Sequence, residues 1–344
     1  MRFDVLVLIG RFAPFHDGHL TLLQHALVHA RRVVVFLGSA GRARDSRHPW
    51  STAEREQMLR AALPEAGERL SIRPLRDHLY NENAWIAEVQ AAVRDGFDDA
   101  GPNPLTIGLA RGRDDPATAY LAAFPQWPLV DIPLVDCLPA RALREHFLED
   151  SDAGMALVRA NVPPAVAGLL EEFRARSPHY AGLVEERSFL ETYRRGWASA
   201  PYPPTFVTVD GVVVHSGHVL LVQRGAQPGK GQWALPGGFV RGGERLLDAI
   251  LRELREETRL KLPAPVLRGS LRAREVFDHP ERSLRGRTIT HAFLFEFPSG
   301  ELPAVRGGSD ASRARWLPFS ELSAMESQMY EDHFHIVGHF LGTL

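Results

Sequence analysis

GFVRGGERLLDAILRELREETRL, residues 238–260, joins a glycine-rich turn to an amphipathic helix that crowds its acids on one side. Leu246, Leu247, Ile250, Leu251 and Leu254 recur at helical spacing and supply a face to bury. Glu253 and Glu257 stand four residues apart and Glu256 three from Glu253, so a helix over 244–258 brings the three carboxylates together. Carboxylates that close repel one another unless a cation lies between them, and an all-oxygen donor set suits Mg²⁺ or Mn²⁺. Arg252, four residues before Glu256, is spaced to hold that carboxylate in place. The glycines at 237, 238, 242 and 243 let the preceding loop run close beneath the helix. A solvated helix laced with salt bridges would be as rich in charge, but it would not need this spacing behind a Pro-Gly-Gly turn.

Around this helix the pattern is that of a mixed sheet. Residues 205–214 and 218–223 read as strands joined by a turn at Ser216-Gly217, and strands recur at 269–277 and 288–297. The proline-rich stretch APYPP (200–204) cannot continue a helix and marks a boundary. Before it, apolar runs at 3–9, 33–37, 71–74, 105–109 and 129–132 alternate with helical spacing at 19–30, 53–62 and 83–95. That alternation predicts a doubly wound parallel sheet. Helices are also expected at 141–149, 163–174 and 183–197. The expected organisation is a first domain over 1–180, a helical and proline-rich linker over 181–204, and a second domain over 205–344.

Bulk properties narrow the function classes. The 344 residues hold 40 Lys plus Arg against 42 Asp plus Glu, a net charge of −2. That balance argues against a general nucleic-acid or membrane-surface binder. Cys137 is the only cysteine, which excludes an intrachain disulfide and a cysteine metal cluster and fits a reducing cytoplasm. The opening MRFDVLVLIG turns polar too soon for a signal peptide, and no apolar run reaches a membrane span. The expected location is cytoplasmic, and self-association into a homo-oligomer stays open.

A second motif opens the first domain. Residues 10–19, GRFAPFHDGH, follow the first strand and lead into a helix. His16 and His19 lie one turn apart at the helix N-terminus, where free N–H groups and the dipole favour anions. Gly18 leaves room for a phosphate chain to approach the backbone.

Two family resemblances follow. Gly238, Glu244, Arg252, Glu253, Leu254, Glu256, Glu257 and Leu260 fit the Nudix box, so the second half resembles Nudix hydrolases, of α/β/α fold with a mixed sheet. The resemblance implies Glu253, Glu256 and Glu257 as metal ligands with Arg252 as their orienter, and Glu244 as a weaker ligand candidate. The general base varies in that family; Glu301 and Asp310 are the candidates here. Arg259 replaces the glycine of the box, which predicts altered helix termination. Text around the box, GQWALPGGF (231–239) and FDHPERSLRGRTITHAF (277–293), resembles ADP-ribose pyrophosphatases, which implies Asp278, Arg282, Arg285 and Arg287 as substrate contacts.

GRFAPFHDGH resembles the nucleotidyltransferase signature G-x-F-x-P-x-H-x-G-H of Rossmann-like domains. PWSTAERE (49–56), LYNENAWIAEVQ (79–90), AYLAAFPQW (119–127) and MYEDHFHIV (329–337) resemble nicotinamide-mononucleotide (NMN) adenylyltransferases fused to a Nudix domain. That implies a bifunctional enzyme of NAD metabolism whose small-molecule partners are ATP, NMN, NAD and ADP-ribose. It implies Gly10, Phe12, His16, Gly18 and His19 at the ATP phosphates, His16 and His19 as catalytic. Trp85 would stack on the nicotinamide ring beside Asn81 or Asn83. The late phosphate motif of such transferases reads LPARALR here (138–144): Arg144 is kept as an ATP-phosphate ligand, while Pro139 and Arg141 replace two hydroxyl residues; Arg141 is a candidate to compensate with charge at the phosphates, or equally a solvent-facing residue. Leu109, within IGLARGRDD (107–115), stands where relatives often have histidine. A catalytically impaired nucleotide-binding or sensing module is the alternative for this half, and nicotinate mononucleotide is an alternative acceptor. A transcriptional regulator with a Nudix-like sensor is disfavoured by intact glutamates and the charge balance.

Overall fold

The structure, a computed structural model, describes residues 3–95, 105–113, 116–133 and 135–342. Residues 114 and 115 of the IGLARGRDD stretch lie outside the described residues. The chain divides into two compact units, Met1–Val184 and Glu185–Leu344.

The first unit runs β1 (Phe3–Gly10), α1 (Asp17–His29), β2 (Ala30–Leu37), α2 (Thr52–Ala62), β3 (Leu70–Pro74), α3 (Glu82–Asp95), β4 (Ile107–Gly112), β5 (Leu129–Ile132), α4 (Ala140–Phe147), α5 (Asp152–Arg159) and α6 (Pro164–Arg176). Helix α7 (Tyr180–Arg195) carries the boundary between the units. The five strands form one sheet in the order β3-β2-β1-β4-β5, all parallel, with Val5 opposite both Arg32 and Ile107. This is the doubly wound sheet that the sequence implies. Strands buried on both faces read as continuous apolar runs, as in Val5–Leu8 and Val33–Leu37. One face packs Leu6, Leu8, Val33 and Val35 with Leu23, Trp50, Met58 and Phe147; the other packs Val5, Val7 and Val34 with Val89, Val93 and Phe124. The strand order reverses beside β1, so the loop after Gly10 opens at the edge where such sheets bind ligands.

The second unit runs β6 (Phe206–His215), β7 (His218–Arg224), β8 (Trp233–Ala234), β9 (Gly237–Phe239), α8 (Leu246–Thr258), α9 (Ala264–Gly269), β10 (Leu271–Phe277), β11 (Thr288–Phe297), β12 (Ala311–Pro318), α10 (Phe319–Leu322) and α11 (His333–Leu341). Its sheet is ordered β10-β11-β6-β7-β12, with β8 beside β7 and β9 beside β6. Only β11 and β6 run parallel among these pairs, which makes the sheet mixed. Helix α8 buries Ile250, Leu251 and Leu254 against Val209, Val213, Phe293 and Phe295. Gly211 on β6 permits this approach: a Cβ there would stand 3.1 Å from Ile250 Cδ1 and 3.3 Å from Leu254 Cδ2. Among the described residues no helix is long and apolar enough to cross a membrane.

Several expected boundaries shift. Strand β4 starts at Ile107, two residues later than read, and α8 starts at Leu246 because Arg245 takes the extended N-cap conformation. The expected strand at 269–277 is preceded by α9, which ends at Gly269. Arg259 corrects the expectation of altered termination. Its backbone is left-handed, at φ 54° and ψ 23°, so α8 ends as it would with glycine. The last carbonyls of α8 are taken up by the loop between β11 and β12: Arg306 N–H donates to Thr258 O at 2.9 Å and Gly308 N–H to Glu257 O at 3.0 Å.

Candidate functional site

The second unit holds a cavity of about 370 Å³ between α8, β9, the 282–288 loop and Asp310. Arg252 organises its acidic wall. Its guanidinium bonds Glu244 through Nε (2.8 Å) and Nη2 (2.9 Å), and donates through Nη1 to Glu253 (2.6 Å) and Glu256 (3.2 Å). Nη2 also reaches the Phe239 carbonyl at 3.3 Å. Arg252 is thus an orienter of Glu256, as read, but also of Glu244 and Glu253. Both Glu244 oxygens accept from Arg252, so Glu244 buttresses the guanidinium that holds Glu253 and Glu256.

Glu257 lies deeper, buried, and accepts the Gly237 N–H at 2.9 Å. Burial pushes its carboxyl up to about 9, against the Gly237 N–H; nearby Asp310 and Glu253 push the same way. Burial also raises Glu253. Buried acids that repel one another are stabilised by a bound cation. Glu253 and Glu257 therefore fit a divalent metal by donor chemistry, and Glu256 and Asp310 line the same cavity. Among the described residues no three His, Cys, Asp or Glu side chains are already gathered for a metal ion. Of the two base candidates, Asp310 lines the cavity beside Glu257. Glu301 is exposed, next to Gly300, whose N–H and C=O are bonded to Ser216 at the β6–β7 turn.

The four expected substrate contacts separate. Arg282 is buried in a bidentate pair with Asp332, both bonds at 2.9 Å, with Asp210 at 3.7 Å. It forms a wall of the cavity, but its guanidinium is committed to structure. Arg285 faces the cavity and is steadied by the Tyr330 hydroxyl at 3.0 Å. Arg287 bonds the carbonyl of Asp278 and pairs with its carboxylate at 3.5 Å; neither residue lines the cavity. Arg224, Arg241, Tyr330 and His333 also line it and went unread in the sequence.

In the first unit His16 and His19 stack, their rings 3.6 Å apart, and His19 Nδ1 accepts the His16 N–H at 3.4 Å. Burial holds His16 down to about 4, helped by Arg144, and burial keeps His19 well below the usual imidazole range. Both are neutral near pH 7. Phe12 takes φ 49° and lies edge-on to His19 at 4.8 Å. A Cβ on Gly10 would press on the Phe12 ring at 3.1 Å; one on Gly18 would stand 3.0 Å from Cys137 Sγ and 3.1 Å from His16 Cε1. Gly18 therefore serves the packing of His16 as well as any phosphate.

Arg144 is buried and donates to Ala13 O at 2.5 Å, while Arg141 is 82 % exposed and pairs with Glu145. Arg141 thus faces solvent, apart from the buried Arg144. A different cation group does gather here. Burial, with Arg11 and Arg47 nearby, lowers Arg144 to about 10. Arg55 donates to the carbonyls of Arg11 (2.7 Å) and Gly38 (2.8 Å), holding the ends of two loops together. The turn carrying Arg47 is tied by Asp45, which accepts the Arg47 and His48 N–H groups and pairs with the His48 ring at 3.0 Å. The sequence signal was the run GRARDSRH (41–48), which reads equally as a solvated charge run.

Trp85 is half-buried, 5.6 Å from Tyr120 and 5.6 Å from Phe124. Tyr120 donates to Ile9 O at 2.7 Å, which sets this aromatic group beside the end of β1. Asn81 accepts the Ala84 N–H at 3.1 Å and so caps α3, while Asn83 is exposed.

Comparison with known proteins agrees with this division. Residues 204–340 match the NUDIX domain family model and 7–91 the cytidylyltransferase-like one. A nicotinamide/nicotinic acid mononucleotide adenylyltransferase of Acinetobacter baylyi is 33% identical over 150 residues, 43% of this chain and 77% of that one. An ADP-ribose pyrophosphatase of Methanocaldococcus jannaschii is 35% identical over 157 residues, 46% of this chain and 84% of that one. A crystal structure described as a bifunctional NMN adenylyltransferase/ADP ribose pyrophosphatase, from Francisella tularensis, has a TM-score of 0.92 at 33% identity and covers 99% of both chains. The chain belongs to this bifunctional family. A second structure of that Francisella protein is described as complexed with AMP and a Mn ion.

Proposed function

We propose that the protein is a bifunctional enzyme of NAD metabolism. Its first unit transfers the adenylyl group of ATP to NMN, giving NAD and pyrophosphate; its second hydrolyses ADP-ribose to AMP and ribose 5-phosphate. The observation that carries the second activity is the acidic wall held by Arg252 around a cavity that ends at the buried Glu257. Glu253, Glu256 and Glu257 would hold Mg²⁺ or Mn²⁺, which supplies charge neutralisation at the diphosphate and activation of water. Arg252 fixes the carboxylates, Gly237 N–H anchors Glu257, and Asp310, beside Glu257, would take the proton of the attacking water.

In the first unit the acceptor phosphate would attack the ATP α-phosphorus in line while pyrophosphate leaves. No covalent intermediate is needed, so positioning and charge neutralisation do the chemistry. His16 and His19 donate to the phosphates as neutral imidazoles, and Arg144 with Arg11 and Arg47 supplies positive charge. Trp85 is the candidate platform for the nicotinamide ring, with Asn81 or Asn83 at its amide. These cations bear on the departures at Pro139 and Arg141, because they furnish phosphate ligands from elsewhere.

The test is NAD formation from NMN and ATP with Mg²⁺ by the Glu257→Gln full chain, which blocks product breakdown. NAD accumulation supports the transferase half of the reading, and cleavage of ADP-ribose by the unmodified chain supports the hydrolase half. Failure of NAD to accumulate, with ADP-ribose still cleaved by the unmodified chain, would leave a Nudix hydrolase carrying a nucleotide-binding or sensing module. A parallel run with nicotinate mononucleotide settles the acceptor.

A further inference from the structure

A second concavity of the second unit, about 480 Å³, opens where α8 ends, and Arg259, Lys261, Ala304, Val305, Arg306 and Gly307 line it. None of these residues lines the catalytic cavity. Three of them are cations and none is an acid. Among the described residues, none of the three cationic side chains makes a hydrogen bond or an ion pair.

The helix end does not account for these charges. Cations gather at a helix C-terminus when their side chains bond the last carbonyls. Here backbone donors already take those groups: the carbonyls of Arg255, Glu257 and Thr258 accept from the N–H groups of Arg259, Gly308 and Arg306. Three like charges gathered at one groove without partners repel one another. An anion among them relieves that repulsion and gains charge-assisted bonds.

The backbone holds the groove open to Arg259. A Cβ on Gly308 would meet Arg259 Nε and stand 2.5 Å from the Glu256 carbonyl oxygen, so only glycine lets that side chain lie against the loop. A Cβ on Gly307 would stand 2.6 Å from the Ala311 carbonyl oxygen, so the same loop turns back tightly onto β12. Arg259 and Lys261 thus come from the end of α8, and Arg306 from a loop pinned to it by two backbone bonds. The lining offers no ring for a base, and only Ala304 and Val305 are apolar. Two guanidinium forks and one ammonium suit a compact, multiply charged oxyanion.

We propose that this groove is a second anion site, separate from the catalytic cavity, that binds a small phosphate anion of the pyrophosphate class and so ties the end of α8 to the loop carrying Asp310. The test is hydrogen exchange of the full chain in metal-free buffer, read in the segments 259–262 and 303–308, with pyrophosphate, orthophosphate or malonate added at matched ionic strength. Pyrophosphate at about ten times its dissociation constant should slow exchange of the 303–308 amides about tenfold. Arg306→Gln and Lys261→Gln remove side chains that hold no other group, so the fold is kept. Each should weaken binding about tenfold, leaving about twofold protection at the same concentration, and the double variant should abolish it. Orthophosphate protecting as well as pyrophosphate supports the site and shortens its ligand to one phosphate. No protection of these segments, protection undiminished in the double variant, or equal protection by malonate overturns the proposal.

Discussion

Replacing Arg282 by lysine separates a structural guanidinium from a substrate ligand. In the structure Arg282 makes two charge-assisted bonds of 2.9 Å to Asp332, which is fully buried, and stands 3.7 Å from the buried Asp210. Lysine keeps the charge but not the planar fork, so at least one of the two bonds is lost. A hydrogen bond to a charged group is worth roughly 1.5–3 kcal/mol, and breaking a buried pair outright costs about 3–5 kcal/mol. The expected loss for Arg282→Lys is therefore about 2–3 kcal/mol. For a unit of this size that lowers the midpoint by roughly 4–12 °C. The assay is calorimetry on the full chain, with hydrogen exchange at β6, β11 and α11 to assign the transition. KM for ADP-ribose, measured at a temperature where the variant is folded, should stay within about twofold, since the guanidinium is already spent. A midpoint unmoved within about 2 °C together with a tenfold rise in KM would refute this. Arg282 would then be the phosphate ligand that the sequence suggested.

Glu257→Gln should reduce ADP-ribose hydrolysis by at least about 1000-fold and spare NAD synthesis, as should chelation of divalent metal for hydrolysis; product analysis by chromatography checks both. The first unit should lose stability on acidification. His16 is held down to about 4 in the fold, so its contribution is full above the unfolded value near 6.5 and is lost as pH falls towards 4. Unfolding followed against pH should show a loss on the order of 3 kcal/mol across that window, reduced in His16→Asn; a flat profile would contradict the burial. Gly238→Ala should cut kcat for hydrolysis by about tenfold or more, because the added carbon would stand 2.6 Å from Glu253 Oε1 and displace that carboxylate; unchanged kcat would mean the strand yields.

Local pattern carried much of this protein. The 3.6-residue period and the acid spacing of 246–258 located the hydrolase helix to within two residues, because Arg252, Glu253, Glu256 and Glu257 sit within one element. The parallel strands were legible because burial on both faces leaves plain apolar runs. What stayed hidden depends on partners far along the chain. Nothing near Arg282 says that Asp332, 50 residues on, claims its guanidinium. The helical spacing around Trp85 does not disclose Tyr120 and Phe124 at its edges. Strand β12 was missed because its arginines look solvated, yet Arg315 lies 4.3 Å above the Trp233 ring. Helix α11 is buried over most of its first two turns and so lacks the one-sided stripe that announces a surface helix.

Cys137 has a practical consequence. It is the only thiol in the chain, half-buried, with its sulfur 3.7 Å from His16 Nδ1. A thiol-directed dye or isotope-enriched probe would therefore attach at a single place, without mutagenesis, beside the imidazoles expected to receive the triphosphate. The protein comes with its own reporter of nucleotide occupancy in the first unit: the rate of labelling with and without ATP would follow filling of that pocket while the second unit, which has no thiol, stays silent.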